Sequence, residues 1–197
     1  MFPILLDIAN LKVALIGGGD AALSRLKALD EAGATGLKIF ADDFGKEFWE
    51  ISDKRLVTRM PYDDEIKNFN VIMIVDIDDK RAAEIAKKAR KFGVMVNVED
   101  KKEYCDFYFP SLVRRGDLII TVSTCGKSPT LAHRVREIIG KIFHSGWAKR
   151  VDEVAYKRQQ WRDIGLSMRE IAQMSDKYID EKGWLDYEEL ASTKKEA

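Results

Sequence analysis

The sequence is poor in the residue types that build disulfide scaffolds and metal centres. Among 197 residues it has two cysteines, Cys105 and Cys125, and two histidines, His133 and His144. Two cysteines do not make a disulfide framework, and a cytoplasmic location is the expectation. The four residues lack zinc-site spacing, so no protein-bound metal is expected. Nor does the local sequence offer a Ser-His-Asp or Cys-His pair. Charge excess is absent too: Lys+Arg and Asp+Glu both number 33. A protein that grips nucleic acid through its phosphates carries a basic excess, so nucleic acid is not an expected partner. No apolar run approaches the ~20 residues of a membrane span, and no membrane partner is expected. The opening MFPILLDIANLKV has no basic leading region and is interrupted by Asp7, Asn10 and Lys12, which argues against a signal peptide.

What the chain does have is alternation. Short apolar runs at Lys12–Ile16, Leu37–Ala41, Leu56–Thr58, Val71–Val75 and Val94–Val98 read as strands. Amphipathic stretches at Ala21–Ala32, Phe44–Ile51 and Asp78–Phe92 read as helices, two of them closed by Gly33 and Gly93. Strands alternating with helices predict βαβ units and a parallel sheet, hence an α/β, Rossmann-like domain. After about Asp100 the pattern changes. An Arg115-Gly116-Asp117 turn before Leu118–Val122 predicts an antiparallel excursion. From Pro129 onward the spacing of Leu131, Val135, Ile138, Ile139 and Ile142 is helical, and a charged helical tail follows from Trp147 to Leu190. Trp147, Trp161 and Trp184 are its expected packing anchors, and Ser192–Ala197 is expected to fray. The basic residues of this tail (Lys149, Arg150, Lys157, Arg158, Arg162) read as a solvated face, with an acidic substrate's cleft as the alternative.

Gly17-Gly18-Gly19-Asp20-Ala21-Ala22 follows the first strand and opens the first helix. Gly17, Gly19 and Ala22 satisfy the dinucleotide fingerprint G-x-G-x-x-G/A. Gly17 permits the turn, Gly19 lets backbone approach a diphosphate, and Ala22 allows close helix–strand packing. The helix N-terminus offers amides and a favourable dipole to phosphate. About 20 residues on, Asp42 and Asp43 stand where a carboxylate accepts the adenosine ribose hydroxyls and repels a 2′-phosphate. The pattern therefore predicts NAD rather than NADP.

Two further segments carry polar groups. Asn97, Glu99 and Asp100 end the fifth strand, where ligands of open α/β sheets sit. They suit a general base or, equally, a turn. Ser123-Thr124-Cys125-Gly126-Lys127-Ser128-Pro129 ends in a Gly-Lys-Ser that looks like the tail of a P-loop. Thr121 stands where that motif needs its first glycine, so a nucleoside-triphosphate site is rejected. Ser128 and Pro129 fit the N-cap and first residue of a helix, and a helix start of this composition also suits substrate carboxylates.

Taken in order, these landmarks resemble the precorrin-2 dehydrogenase family, the dehydrogenase module of siroheme synthases. They are Phe2-Pro3-Ile4, Ile16 to Ala22, Glu31-Ala32-Gly33-Ala34, Val96 to Asp100, Cys105-Asp106-Phe107 with Phe109-Pro110-Ser111, and Val122-Ser123-Thr124 with Gly126, Ser128-Pro129 and Leu131-Ala132. The resemblance runs from the N-terminus to about Phe143. It implies oxidation of precorrin-2 to sirohydrochlorin with hydride transfer to NAD, and some members also insert ferrous iron. It implies that Asp100 is the catalytic carboxylate. NAD contacts are implied at Gly17, Gly19, Asp20, Ala21, Asp42 and Asp43. A tetrapyrrole site is implied at Asn97, Ser123, Thr124, Gly126, Lys127 and Ser128. It implies a homodimer formed after the Rossmann domain, with residues 1–110 binding NAD, 111–146 dimerising and 147–197 forming a helical region. Two departures stand out: members carry Ala-Thr-Asp where this chain has Val75-Asp76-Ile77, and two glycines where it has Cys125-Gly126. The reading from a different class is a non-catalytic NAD-sensing Rossmann module.

Overall fold

Each apolar run becomes a strand, and Val13–Ile16 and Val71–Ile74 are buried on both faces. A computed structural model describes residues 1–186, with residues 52 and 53 by backbone alone. The strands are β1 (Lys12–Ile16), β2 (Gly36–Phe40), β3 (Leu56–Val57), β4 (Val71–Ile74) and β5 (Met95–Val98). All neighbours pair in parallel, in the order β3-β2-β1-β4-β5. The order reverses between β1 and β4, which opens a crevice above their carboxyl ends, where open α/β sheets bind ligands.

Period-2 alternation sends side chains to opposite faces of the sheet. Val13, Leu15, Ile39 and Met73 pack on one side with Ala22, Leu26 and Leu29 of α1 (Asp20–Glu31). Ala14, Ile16, Ile72, Ile74 and Val96 pack on the other with Ala82, Ile85, Ala86 and Ala89. Two cores explain why these strands read as continuous apolar runs. The crossovers between strands carry α2 (Lys46–Ser52), a short α3 (Asp63–Ile66) that the apolar pattern does not announce, and α4 (Asp79–Lys91). Asp78 caps α4, accepting the Arg81 amide at 3.0 Å. The free edge of β5 is covered by its own sequel: Asp106 donates its amide to the Val96 carbonyl and accepts the Val96 amide at 2.9 Å. This blunts an edge that could otherwise pair with another chain.

The chain divides into two compact units, one ending at Tyr108 and one beginning at Phe109. In the second, β6 (Ser111–Arg115) and β7 (Leu118–Val122) form the expected antiparallel hairpin, turning at Gly116 with φ +58. Next come α5 (Pro129–Ile142), α6 (Trp147–Asp163) and α7 (Met168–Glu181). Arg115 closes α5 by donating to the carbonyls of Phe143 and Gly140 at 2.6 and 3.0 Å, as suits a cation at a helix C-terminus. Residues 111–146 and the helices after Trp147 lie in the same unit.

The tail is not one helix. Gly165, at φ +85, stops α6, and Ser167 with Glu170 forms a capping box that starts α7. The expected continuous helix is broken here: apolar spacing alone does not change at this point, whereas Gly165 and the Ser-x-x-Glu signal do mark the break. Trp147 is buried beside Phe143, with ring centroids 4.9 Å apart. Trp161 and Trp184 each meet Tyr178 edge-on. The far end of the expected tail helix and the expected fraying of Ser192–Ala197 lie outside the described residues.

Candidate active site

The turn after β1 is built so that only glycine fits. Gly17 has φ +140, and a Cβ there would lie 2.1 Å from the Val75 carbonyl oxygen. At Gly18 a Cβ would lie 2.1 Å from the Asp43 carbonyl oxygen. The turn is thus wedged between the ends of β4 and β2, and its three glycines put no side chain of their own between the backbone and an approaching ligand. Among the described residues, no partner accepts from the Asp20 and Ala21 amides at the start of α1. Two free amides at a helix N-terminus above a glycine cradle fit the diphosphate of a dinucleotide.

A cleft of about 370 Å³ opens here, bordered by Gly18, Gly19, Asp42, Asp43, Asp76 and Arg81. Asp42 and Asp43 are exposed at its rim, just past β2. Asp43 accepts the Phe44 amide at 2.8 Å. Asp42 pairs with Arg81 of α4 at 2.5 Å, so the ribose carboxylate expected from sequence is already held by a cation. Asp76 was noted in the sequence only as a departure, yet it enters the cleft. Its carboxylate accepts the Ala22 amide at 2.8 Å and would lie 2.8 Å from a Cβ at Gly19.

The ends of β4 and β5 share a conformation. Asp76 and Asp100 both lie in the left-handed region, at φ +54 and +57, which aspartate tolerates better than most residues. Each turn carries its carboxylate out past the sheet. Asp100 is exposed. Glu99 between them is half-buried, and its carboxyl is pushed above the usual range, first by burial and then by the charges of Asp76 and Asp100. Arg25 of α1 opposes that rise and is itself lowered by burial. The arrangement is an exposed carboxylate beside a half-buried one whose pKa is raised, the kind of pairing from which acid–base sites are made.

Asn97 is buried. Its amide donates to the Phe107 carbonyl at 2.8 Å, which ties β5 to the segment covering its edge. Cys105 lies alongside with its thiol on the Val98 carbonyl at 3.0 Å, and burial raises its pKa. It is a packed thiol rather than a reactive one.

The Ser/Thr segment of the second unit is a tight loop. Thr124 Oγ1 accepts the Ser128 amide and donates to the Ser128 carbonyl, both at 3.0 Å. Ser123 accepts the Cys125 amide at 3.1 Å. Cys125 and Gly126 are both at positive φ, +53 and +76. Ser128 caps α5 by accepting the Leu131 amide at 3.2 Å, with Pro129 as first helical residue, as the sequence indicates. Ser123 and Lys127 remain exposed. In the same unit, Arg150, Arg158 and Arg162 of the basic tail border an apolar cleft of about 440 Å³ floored by Val151, Val154 and Ile179.

A family model described as putative NAD(P)-binding matches residues 4–111, which cover the whole parallel sheet and its glycine turn. The chain belongs to this NAD(P)-binding family. Its sequence is also similar to the siroheme synthase of Methylococcus capsulatus, at 34% identity over 137 residues, covering 68% of this chain and 29% of that protein. The siroheme synthase of Baumannia cicadellinicola is 28% identical over 184 residues, covering 82% of this chain and 38% of that protein. The chain thus spans about a third of the length of these relatives. Among solved structures, the precorrin-2 dehydrogenase SirC superposes with a TM-score of 0.76 at 21% identity, covering 99% of this chain and 98% of that one. The fold is therefore shared along the whole length of this NAD(P)-binding protein.

Three residues of the site escaped the sequence reading in their roles. Arg81 and Arg25 are helix cations with no motif around them, and only the tertiary pairing with Asp42 and Glu99 distinguishes them from solvated charges. Asp76 had a signal, because an acidic residue directly after an apolar strand and level with the glycine turn is placed to meet the helix start.

Proposed function

We propose that the chain is a precorrin-2 dehydrogenase that oxidises precorrin-2 to sirohydrochlorin and reduces NAD. The observation that carries this reading is the conjunction at one sheet edge: the Gly17–Ala22 cradle with its free amides, and the outward carboxylate of Asp100 two strands away. The kinship with siroheme synthases and the likeness to SirC support the same assignment.

Bound NAD would supply the hydride acceptor. The chain's own residues would do the rest. The Asp20 and Ala21 amides bind diphosphate, and Gly17 and Gly19 keep side chains out of its way. Asp42 accepts from the adenosine ribose, which favours NAD over NADP, and Asp43 shapes the rim beside it. Losing a hydride leaves the macrocycle one proton in excess. Asp100, exposed at the strand end, takes that proton, so precorrin-2 and NAD give sirohydrochlorin, NADH and a proton. Glu99 stands beside Asp100 as a second, half-buried carboxyl. Asn97 braces the strand end that presents both. Ser123, Thr124, Gly126, Lys127 and Ser128 receive carboxylate groups of the substrate through a cation, hydroxyls and a helix start.

In the same reading the protein works in the cytoplasm as a homodimer formed through residues 111–146, with residues 147–197 as a helical region. Both cysteines are free thiols, which suits a reducing compartment. A two-stranded hairpin is marginal by itself, and Leu112, Leu131 and Ile138 leave apolar surface around it. No helix among the described residues is long and apolar enough to cross a membrane. In this reading ferrous iron is a second substrate rather than a resident metal.

The test is turnover by the purified chain. Sirohydrochlorin should form from precorrin-2 with NAD and not without it. Insertion of ferrous iron into sirohydrochlorin without NAD, with no oxidation of precorrin-2 when NAD is supplied, would favour a chelatase instead.

A further inference from the structure

The N-terminus of α1 already holds an anion supplied by the chain. Asp76 reaches across from the end of β4, and its carboxylate oxygen accepts the amide of Ala22, the third residue of the helix. The same oxygen lies over Gly19, where a Cβ would approach it to 2.8 Å. The amides with no partner, those of Asp20 and Ala21, immediately precede Ala22 on the same turn. A diphosphate received there lands beside a carboxylate. The rim adds Asp42, Asp43 and Asp78, and of these the Arg81 guanidinium pairs with Asp42 and also reaches Asp78 at 3.7 Å. Among the described residues no cation forms an ion pair with Asp76, and the carboxyl of Glu99 lies close enough to feel its charge.

We propose that Asp76 is an affinity-setting residue of the dinucleotide site: its carboxylate shares the amide-lined start of α1 with the cofactor's diphosphate and weakens cofactor binding by charge repulsion. This rests on the reading of the Gly17–Ala22 cradle as a dinucleotide site and goes beyond it. The chain thereby trades tight cofactor holding for a capped helix and for fast exchange of the reduced dinucleotide. Like charges at contact distance across a partly exposed cleft oppose each other by enough to change affinity about fivefold to tenfold.

The discriminating variant is Asp76→Asn, which keeps an oxygen for the Ala22 amide and removes only the charge. Calorimetric titration of NAD into the full chain and into D76N measures the effect directly, and a thermal melt of each without NAD shows whether the cap survives. The expected result is about fivefold to tenfold tighter NAD binding by D76N, with a melting temperature close to that of the unaltered chain. The gain should shrink as salt is added, because screening reduces the repulsion. Equal or weaker NAD binding by D76N, with its melting temperature retained, overturns the proposal and marks Asp76 as a helix cap or a cofactor ligand. If D76N melts early, Asp76→Ser supplies a neutral acceptor, and unchanged affinity in that variant overturns the proposal in the same way. Failure of both the unaltered chain and the neutral variants to bind NAD overturns the dinucleotide reading itself.

Discussion

The Asp76 carboxylate caps α1 from another strand, accepting the Ala22 amide at 2.8 Å across 54 positions of sequence. α1 has no capping side chain of its own, because its N-cap is Gly19. One contact therefore ties the end of β4 to the start of the helix after β1. Replacing Asp76 with alanine should cost about 1 kcal/mol of stability, as loss of a helix cap does elsewhere. It also places a Cβ-only residue at φ +54, which adds to the cost. Urea unfolding of D76A against D76N measures this, with D76A the less stable of the two.

Gly17→Ala should be more damaging than any surface change in the same loop. The new methyl would meet the Val75 carbonyl at 2.1 Å in a backbone conformation closed to side chains. Relief requires β1 and β4 to part at their carboxyl ends. A loss of about 2 kcal/mol or more is expected in denaturant melts, together with loss of NAD binding.

Asp100→Asn should separate chemistry from binding. Asparagine tolerates the left-handed φ of +57 that alanine would strain, so the strand end keeps its shape while the proton acceptor is lost. The kcat should fall about 10²- to 10⁴-fold, with NAD affinity unchanged within about twofold. Steady-state kinetics beside an NAD titration decide it.

The Arg59–Glu65 pair gives the fold a defined acid sensitivity. Two guanidinium nitrogens hold Glu65 at 2.6 and 2.9 Å, and this, with the Tyr62 amide, lowers its pKa to about 2. The folded value lies below the unfolded one of about 4.3. The contribution is therefore present above that unfolded value and is lost as pH falls through about 2. Melts of the unaltered chain and Glu65→Gln should differ at neutral pH, draw together as pH falls from about 4, and converge only below about pH 2. A difference independent of pH would contradict the pairing.

Much of the first unit was legible because local and global signals agree in it. Continuous apolar runs mean strands covered on both faces, and Val13 to Ile16 are all fully buried. The glycine turn was legible because its residue types are forced by backbone clashes. The hairpin and the cap at Ser128 followed from turn and cap chemistry. The break at Gly165 was overrun because helical spacing continues on either side of it. The pairing of Asp42 with Arg81 was not legible at all, since the two residues are 39 positions apart and nothing in either segment selects the other. Asn97 illustrates the limit of strand-end reasoning. The pattern puts a polar residue near the site, but alternation turns it inward to the Phe107 carbonyl while Asp100 points out.

The central claim is that this chain couples loss of two hydrogens from a tetrapyrrole to reduction of a dinucleotide held at Gly17–Ala22. Its most direct measurement is the stoichiometry of NADH to sirohydrochlorin formed by the purified chain from precorrin-2 and NAD. The account predicts one NADH per sirohydrochlorin, abolished together in Asp100→Asn. NAD binding with neither product above the uncatalysed background would contradict it and leave a cofactor-sensing module in its place.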